Sequence, residues 1–415
     1  MHVHAPTPSA AATAAGAPTA RTEPRARAVL AVLLLASLAV ALAGAWWLWP
    51  DADAVPPRID TAGPGVTYVR ADVVDVHPDA TGMDQATVRL ADGEEVDAHV
   101  PPEYVPELAA GDTLRVARME VPETALDPLG DPEVMTTSYV FVDFVRGPPI
   151  ALLAGVFAVL VVLVARWRGL AALVGVVVSL GIVGVFTLPA LLQGRPAVPV
   201  ALVTSVVIMF AVLYLAHGVS VRTATALLGT LVGLLATCGI AAWAGGAAHL
   251  TGLSGEYALD LLSAAPEVRL RAVLVCGMVL AGLGVLNDVT ITQASAVWEL
   301  HAARPAASAR ELFGQGMRIG RDHIASTVYT IVFAYVGAAL PLVLLVSLAD
   351  RSFVELLTAG EIAEEVVRTL VGSIGLVLAI PATTALAALL VRVSARRTAD
   401  APTPAPGDAA ASAPA

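Results

Sequence analysis

An amide, a carboxylate, two threonines and a second amide (Asn287, Asp288, Thr290, Thr292 and Gln293) follow directly on the apolar run 279–286. An ionisable group in or at the end of a membrane-crossing helix is costly to hold there, so it counts as a candidate functional group. On a helix, Gly277, Ala281, Gly284, Asp288, Thr292 and Ser295 recur every three or four residues and form one small or polar stripe. The stripe also has a purely structural reading, as a close-packing face with Asp288 in the headgroup zone. Asp322, Ser326, Tyr329 or Thr330, and Gly337 share a face of the next apolar run, and Gly372-Ser373-Ile374-Gly375 opens the last one before Pro381. Asn287, Asp288, Thr290, Thr292, Gln293, Asp322, Ser326, Thr330 and Ser373 would together line a polar path. A carboxylate held among hydroxyls away from water gains proton affinity, so such a path would couple protons or bind a cation.

Other chemistry finds less support. His323 adjoins Asp322, but neighbours on a helix diverge by about 100° and do not face each other. There is no HExxH or GxSxG pattern, so no catalytic residue, no cofactor and no enzymatic activity are expected. Cys238 and Cys276 lie within apolar runs without disulfide or metal-ligand spacing. His217, His249 and His301 stand near the ends of runs, as interfacial side chains do. Asp72, Asp75, His77, Asp79 and His99 could gather round a divalent metal, but without tight ligand spacing a polar surface explains them better.

These residues sit in a chain of 415 residues that is 57% hydrophobic and 14% charged, the balance of a polytopic membrane protein. Apolar runs over 28–48, 149–165, 170–188, 199–216, 224–243, 270–290, 324–348 and 367–392 predict eight spans. Ala306–Gly320 reads as an interfacial helix, and an amphipathic segment with Glu361, Glu364, Glu365 and Arg368 precedes the last span. Residues 58–120 instead alternate with period two over 66–76, 86–90, 95–100 and 113–117, with turns at Asp92-Gly93 and Gly111-Asp112; a further strand follows over 139–145. That predicts a small all-β, OB-like closed barrel. Residues 51–147 carry 20 acids against 6 arginines, so nucleic acid is not its partner. The chain contains no lysine. Thirteen arginines fall on one side of the short loops and tails and five on the other, which predicts cytoplasmic termini and an extracytoplasmic barrel in a cell (inner) membrane protein. The expected organisation is a disordered tail (1–27), an uncleaved anchor (28–49), the β domain with its linker (58–146), a seven-helix domain (149–392) and a second disordered tail (393–415).

The segments LGVLNDVTITQASAVWEL (283–300), GRDHIASTVYTIVFAYVGAALPLVLL (320–345) and EEVVRTLVGSIGLVLAIPATT (364–384) resemble the YibE/F family of bacterial integral membrane proteins, over roughly 58–392. The resemblance implies a multi-pass fold and a membrane location, and carries over no catalytic residues. Two roles fit these features. One is permease-like, with the polar path between spans six, seven and eight; the other is an envelope scaffold or assembly factor whose acidic barrel binds an envelope protein or polymer. The lipid bilayer is the expected partner, and the span-six glycines also suit a homo-oligomer face.

Overall fold

A computed structural model of the chain describes residues 23–57, 63, 65–77, 85–122, 134–348 and 352–399. Asp79 and most of both expected tails lie outside the described residues. The chain divides into two units, Pro57–Leu170 and the remainder.

In the first unit, β1 (Thr67–His77), β2 (Gln85–Leu90), β3 (Glu95–His99), β4 (Thr113–Pro122) and β5 (Met135–Phe144) close into a barrel in the order β1-β2-β3-β5-β4. Alternation sets the inside: Ala71, Val73, Ala86, Val88, Ala98, Leu114, Val116, Tyr139 and Phe141 are buried together, and charged neighbours point outward. Gly93 (φ +90°) makes the β2–β3 turn, where its N–H reaches the Leu90 carbonyl at 3.0 Å. Neighbouring strands are antiparallel except β3 and β5, which join in parallel only through Ala98 with Tyr139 and His99 with Val140. Strands β4 and β5 run longer than the sequence pattern indicates, because they pair with each other out to Pro122 and Met135.

Helix α2 (Gly147–Ile182) follows, broken at Arg166, where φ is +57° and ψ −134°. A Cβ at Gly169 would collide with the Val161 carbonyl, so the chain turns back on itself within this stretch.

The remainder of the chain comprises α1 (Glu23–Trp47), a π-helical turn over Val183–Thr187, α3 (Leu188–Leu192), α4 (Ala197–His217), α5 (Val221–Ala247), α6 (Ala258–Ala264), α7 (Leu270–Ala303), α8 (Ala309–Ala338), α9 (Leu340–Ser347), α10 (Phe353–Leu357) and α11 (Gly360–Ala399). Helices α5, α7 and α11 pack against one another, α8 lies against α7 and α11, α4 against α5 and α7, and α1 on α4. Six helices among the described residues are long and apolar enough to cross a membrane, or seven if the bent pair α8–α9 is one span. The eight apolar runs map onto fewer helices because 149–165 and 170–188 fall within one helical stretch of 46 residues, 147–192.

Two segments differ from expectation. Ala306–Gly320 is not a separate interfacial helix. Ser308 caps α8 through a reciprocal box with Glu311, and Gly316 and Gly320 continue the helix because they pack against Val297, Thr384 and Ile380. The break comes at Ala339, where α8 and α9 meet at 69° with Pro341 in the first turn of α9. The segment around Glu361–Arg368 is likewise continuous with the last span, as the start of α11.

Candidate functional site

Helices approach closely where the residues between them are small, and α5, α7 and α11 meet this way. A Cβ on Gly282 of α7 would stand 3.7 Å from the Cα of Gly372 on α11, so the two backbones cross almost in contact. Gly229 and Gly375 likewise face Thr383 and Thr237 with no room for a side chain. The crossings draw polar groups into the seam. The Thr230 and Thr290 hydroxyls share a hydrogen bond of 2.6 Å between α5 and α7. Gln293 donates from Nε2 to the Gly316 carbonyl of α8 at 2.7 Å and to the Thr384 hydroxyl of α11 at 2.8 Å. One buried amide thus ties three helices together.

The nine path residues separate into three sets. Thr290 and Gln293 are buried in the seam; Asn287 and Ser373 are half-buried; Asp288, Thr292, Asp322, Ser326 and Thr330 lie on the exposed outer faces of α7 and α8. The geometry therefore does not bring the nine into one enclosure within this chain. On α7 the buried and exposed polar residues occupy different sides of one helix, and the stripe through Ala281, Gly284, Asp288 and Thr292 is the uncovered side. The exposed hydroxyls bond to their own helix: Thr292 to the Asp288 carbonyl at 2.7 Å, Ser326 to His323 at 3.1 Å and Thr330 to Ser326 at 3.1 Å. The carboxylates of Asp288 and Asp322 have no partner among the described residues.

Their depths match. Helices α7 and α8 run antiparallel, with Val285 and Val289 packed among Ile324 and Ile331. Asp288 lies five residues before Gln293, and Asp322 lies six residues after Gly316. Both acids are therefore displaced about 7.5 to 9 Å from the Gln293 bracket in the same direction. Asn287 Oδ1 on α7, His323 Nε2 on α8 and Ser373 Oγ on α11 are buried atoms that also lack a hydrogen-bond partner. Buried polar atoms without protein partners are what water or an ion would satisfy.

Sequence reasoning placed His301 at an interface. It is instead 7% exposed with neither ring nitrogen bonded, because it continues the buried side of α7 below Ala294 and Val297. Glu364, which the sequence places in an amphipathic segment, is buried at the start of α11, where its carboxylate accepts from the Gly252 N–H at 3.1 Å and fastens the α5–α6 connection to α11. In the barrel, Asp75 and His77 stand 3.6 Å apart on the exposed surface, while Asp72 accepts from Thr113. Among the described residues no three His, Cys, Asp or Glu side chains gather as metal ligands.

No curated protein and no solved structure matches the chain. Residues 153–393 match the family described as YibE/F-like protein. This match begins after the barrel, so the resemblance read over 58–392 is carried by the helical part alone. That match takes in all three polar helices together with the Gln293 bracket, and by it the chain belongs to the YibE/F-like family.

Proposed function

We propose that the chain is a multi-pass protein of the cell membrane with a permease-like role, in which Asp288 and Asp322 exchange protons or a cation along the outer faces of α7 and α8. The observation that carries this reading is the pair of unpartnered carboxylates at one depth, beside buried polar atoms with no bond of their own. Because these faces are uncovered in a single chain, the path closes where two copies meet, with the small residues Ala281 and Gly284 allowing the approach. In this reading each limb of α2 crosses the bilayer, giving eight crossings, and the arginine asymmetry keeps both termini cytoplasmic and the OB-like barrel outside.

Single cysteines at 281, 284 and 288, in a chain without Cys238 and Cys276, test it in sealed vesicles with a membrane-impermeant thiol reagent. Labelling there, with silence at the buried positions 283 and 286, is the expected result. Silence at all five would mean a lipid-facing or dry interface and would overturn the path. A second reading, an envelope scaffold, draws on the barrel lying outside the family match. It predicts instead that the barrel alone captures an envelope partner and that replacing Asp288 leaves the protein's role intact.

A further inference from the structure

The barrel's charge is unevenly distributed. Arg70 of β1 and Arg115 of β4 are register partners, and Asp143 of β5 is the register partner of Arg115, so the three form one row across the sheet. Both arginines are exposed, and neither guanidinium pairs with a carboxylate among the described residues. Like charges directly opposite on antiparallel strands destabilise a sheet. The one acid in the row is taken by a third arginine, Arg146, at 2.7 Å. Three of the barrel region's six arginines thus meet on the β1–β4–β5 face. The other side is the reverse: Asp75, Thr87 and Asp97 form a row across β1, β2 and β3, and Asp92, Glu94 and Glu95 crowd the adjoining turn.

The position of the arginine face suggests what it meets. Arg146 is the residue before Gly147, where α2 begins, and its guanidinium sits 5.7 Å over the Phe144 ring, itself 5.3 Å from Phe141. If α2 crosses the bilayer, as the proposed function holds, this row stands where strand gives way to membrane helix. Arginine matches phosphate in charge and geometry.

We propose that the β1–β4–β5 face, through Arg70, Arg115 and Arg146, docks the barrel on anionic phospholipid headgroups, with the acidic β1–β2–β3 face turned away from the membrane. The repulsion between Arg70 and Arg115 is relieved when a phosphate lies between them. Each basic residue near an anionic surface contributes about a fivefold factor in membrane affinity. The acids on the far side are repelled by the same surface, so charge alone sets which face is down.

The test uses the full chain without Cys238 and Cys276, labelled with a fluorophore at Val142→Cys, in nanodiscs containing headgroup-nitroxide lipid with or without phosphatidylglycerol. Quenching should rise when phosphatidylglycerol is present and fall back in high salt, which screens charges beyond about 3 Å at 1 M. The rise should also disappear in Arg70→Ser/Arg115→Ser, a variant relieved of repulsion and so expected to fold. A label at Asp97→Cys should stay unquenched. Equal quenching in both lipids, a rise that survives the double variant, or equal quenching at 97 would each overturn the proposal. Failure of the chain to enter nanodiscs of either composition would instead refute the membrane reading on which it rests.

Discussion

The Gln293 amide of α7 donates to the Gly316 carbonyl of α8 at 2.7 Å, across 23 residues of chain, while also reaching Thr384 of α11. This polar contact helps hold α8 to the bundle, and it works because Gly316 and Gly320 let the two backbones close on the amide. Gln293→Leu keeps the volume and removes both bonds, leaving a buried carbonyl with less than its share. It should lower stability by about 1 to 3 kcal/mol, read as the thermal unfolding midpoint in detergent. An unchanged midpoint would show that α8 is held by apolar packing alone.

Glycines separate into two classes by what a side chain would meet. Gly375→Val drives a branched side chain into Thr237, and overpacking of this kind costs about 1 to 3 kcal/mol or more. Gly239 has open space around it, so Gly239→Ala should be neutral or slightly stabilising through helix propensity. Equal losses for the two would contradict the α5–α11 crossing. Both values come from the same unfolding assay.

Arg166 carries a side chain at φ +57°, a conformation that glycine adopts freely. Strain of this kind is worth roughly 1 to 3 kcal/mol. Arg166→Gly should therefore hold the reversal of α2 and raise its resistance to proteolysis, whereas Arg166→Ala should not. Faster cleavage of the glycine variant between 161 and 169 would count against a strained turn.

Asp288→Asn and Asp322→Asn each remove one exchangeable proton with little change of shape. In proteoliposomes loaded with a pH-sensitive dye, the wild-type chain should dissipate an imposed proton gradient faster than empty vesicles, and each variant should fall toward the empty rate if its acid carries the proton. Flux that is undiminished in both variants would remove these acids from the function.

Much of the architecture was legible because period and composition carry it. Val73, Val88 and Val116 alternate with polar neighbours, and a pattern of period two admits one inside. The family was legible in the three polar helices. The arrangement of their side chains was not. Helix α7 is apolar or small nearly all round, so its sequence does not say which side meets α5 and α11. Thr290 and Thr292 look equivalent along the chain, yet one is buried against Thr230 and the other faces outward. Only neighbouring helices distinguish them. His301 was misjudged for the same reason, since nearness to a helix end says nothing of the side it occupies. The continuity of α8 through Gly314, Gly316 and Gly320 was hidden because glycine weakens a helix by propensity, and the packing that compensates comes from residues far along the chain.

The parallel junction of β3 with β5, limited to Ala98 with Tyr139 and His99 with Val140, makes the barrel a ring with a clasp. Everywhere else the ring is held by longer antiparallel ladders. Thermal fluctuation will release this clasp before any other ladder, turning the closed ring into a curled ribbon with two free borders. For a moment the ribbon could accept a foreign strand that the ring refuses.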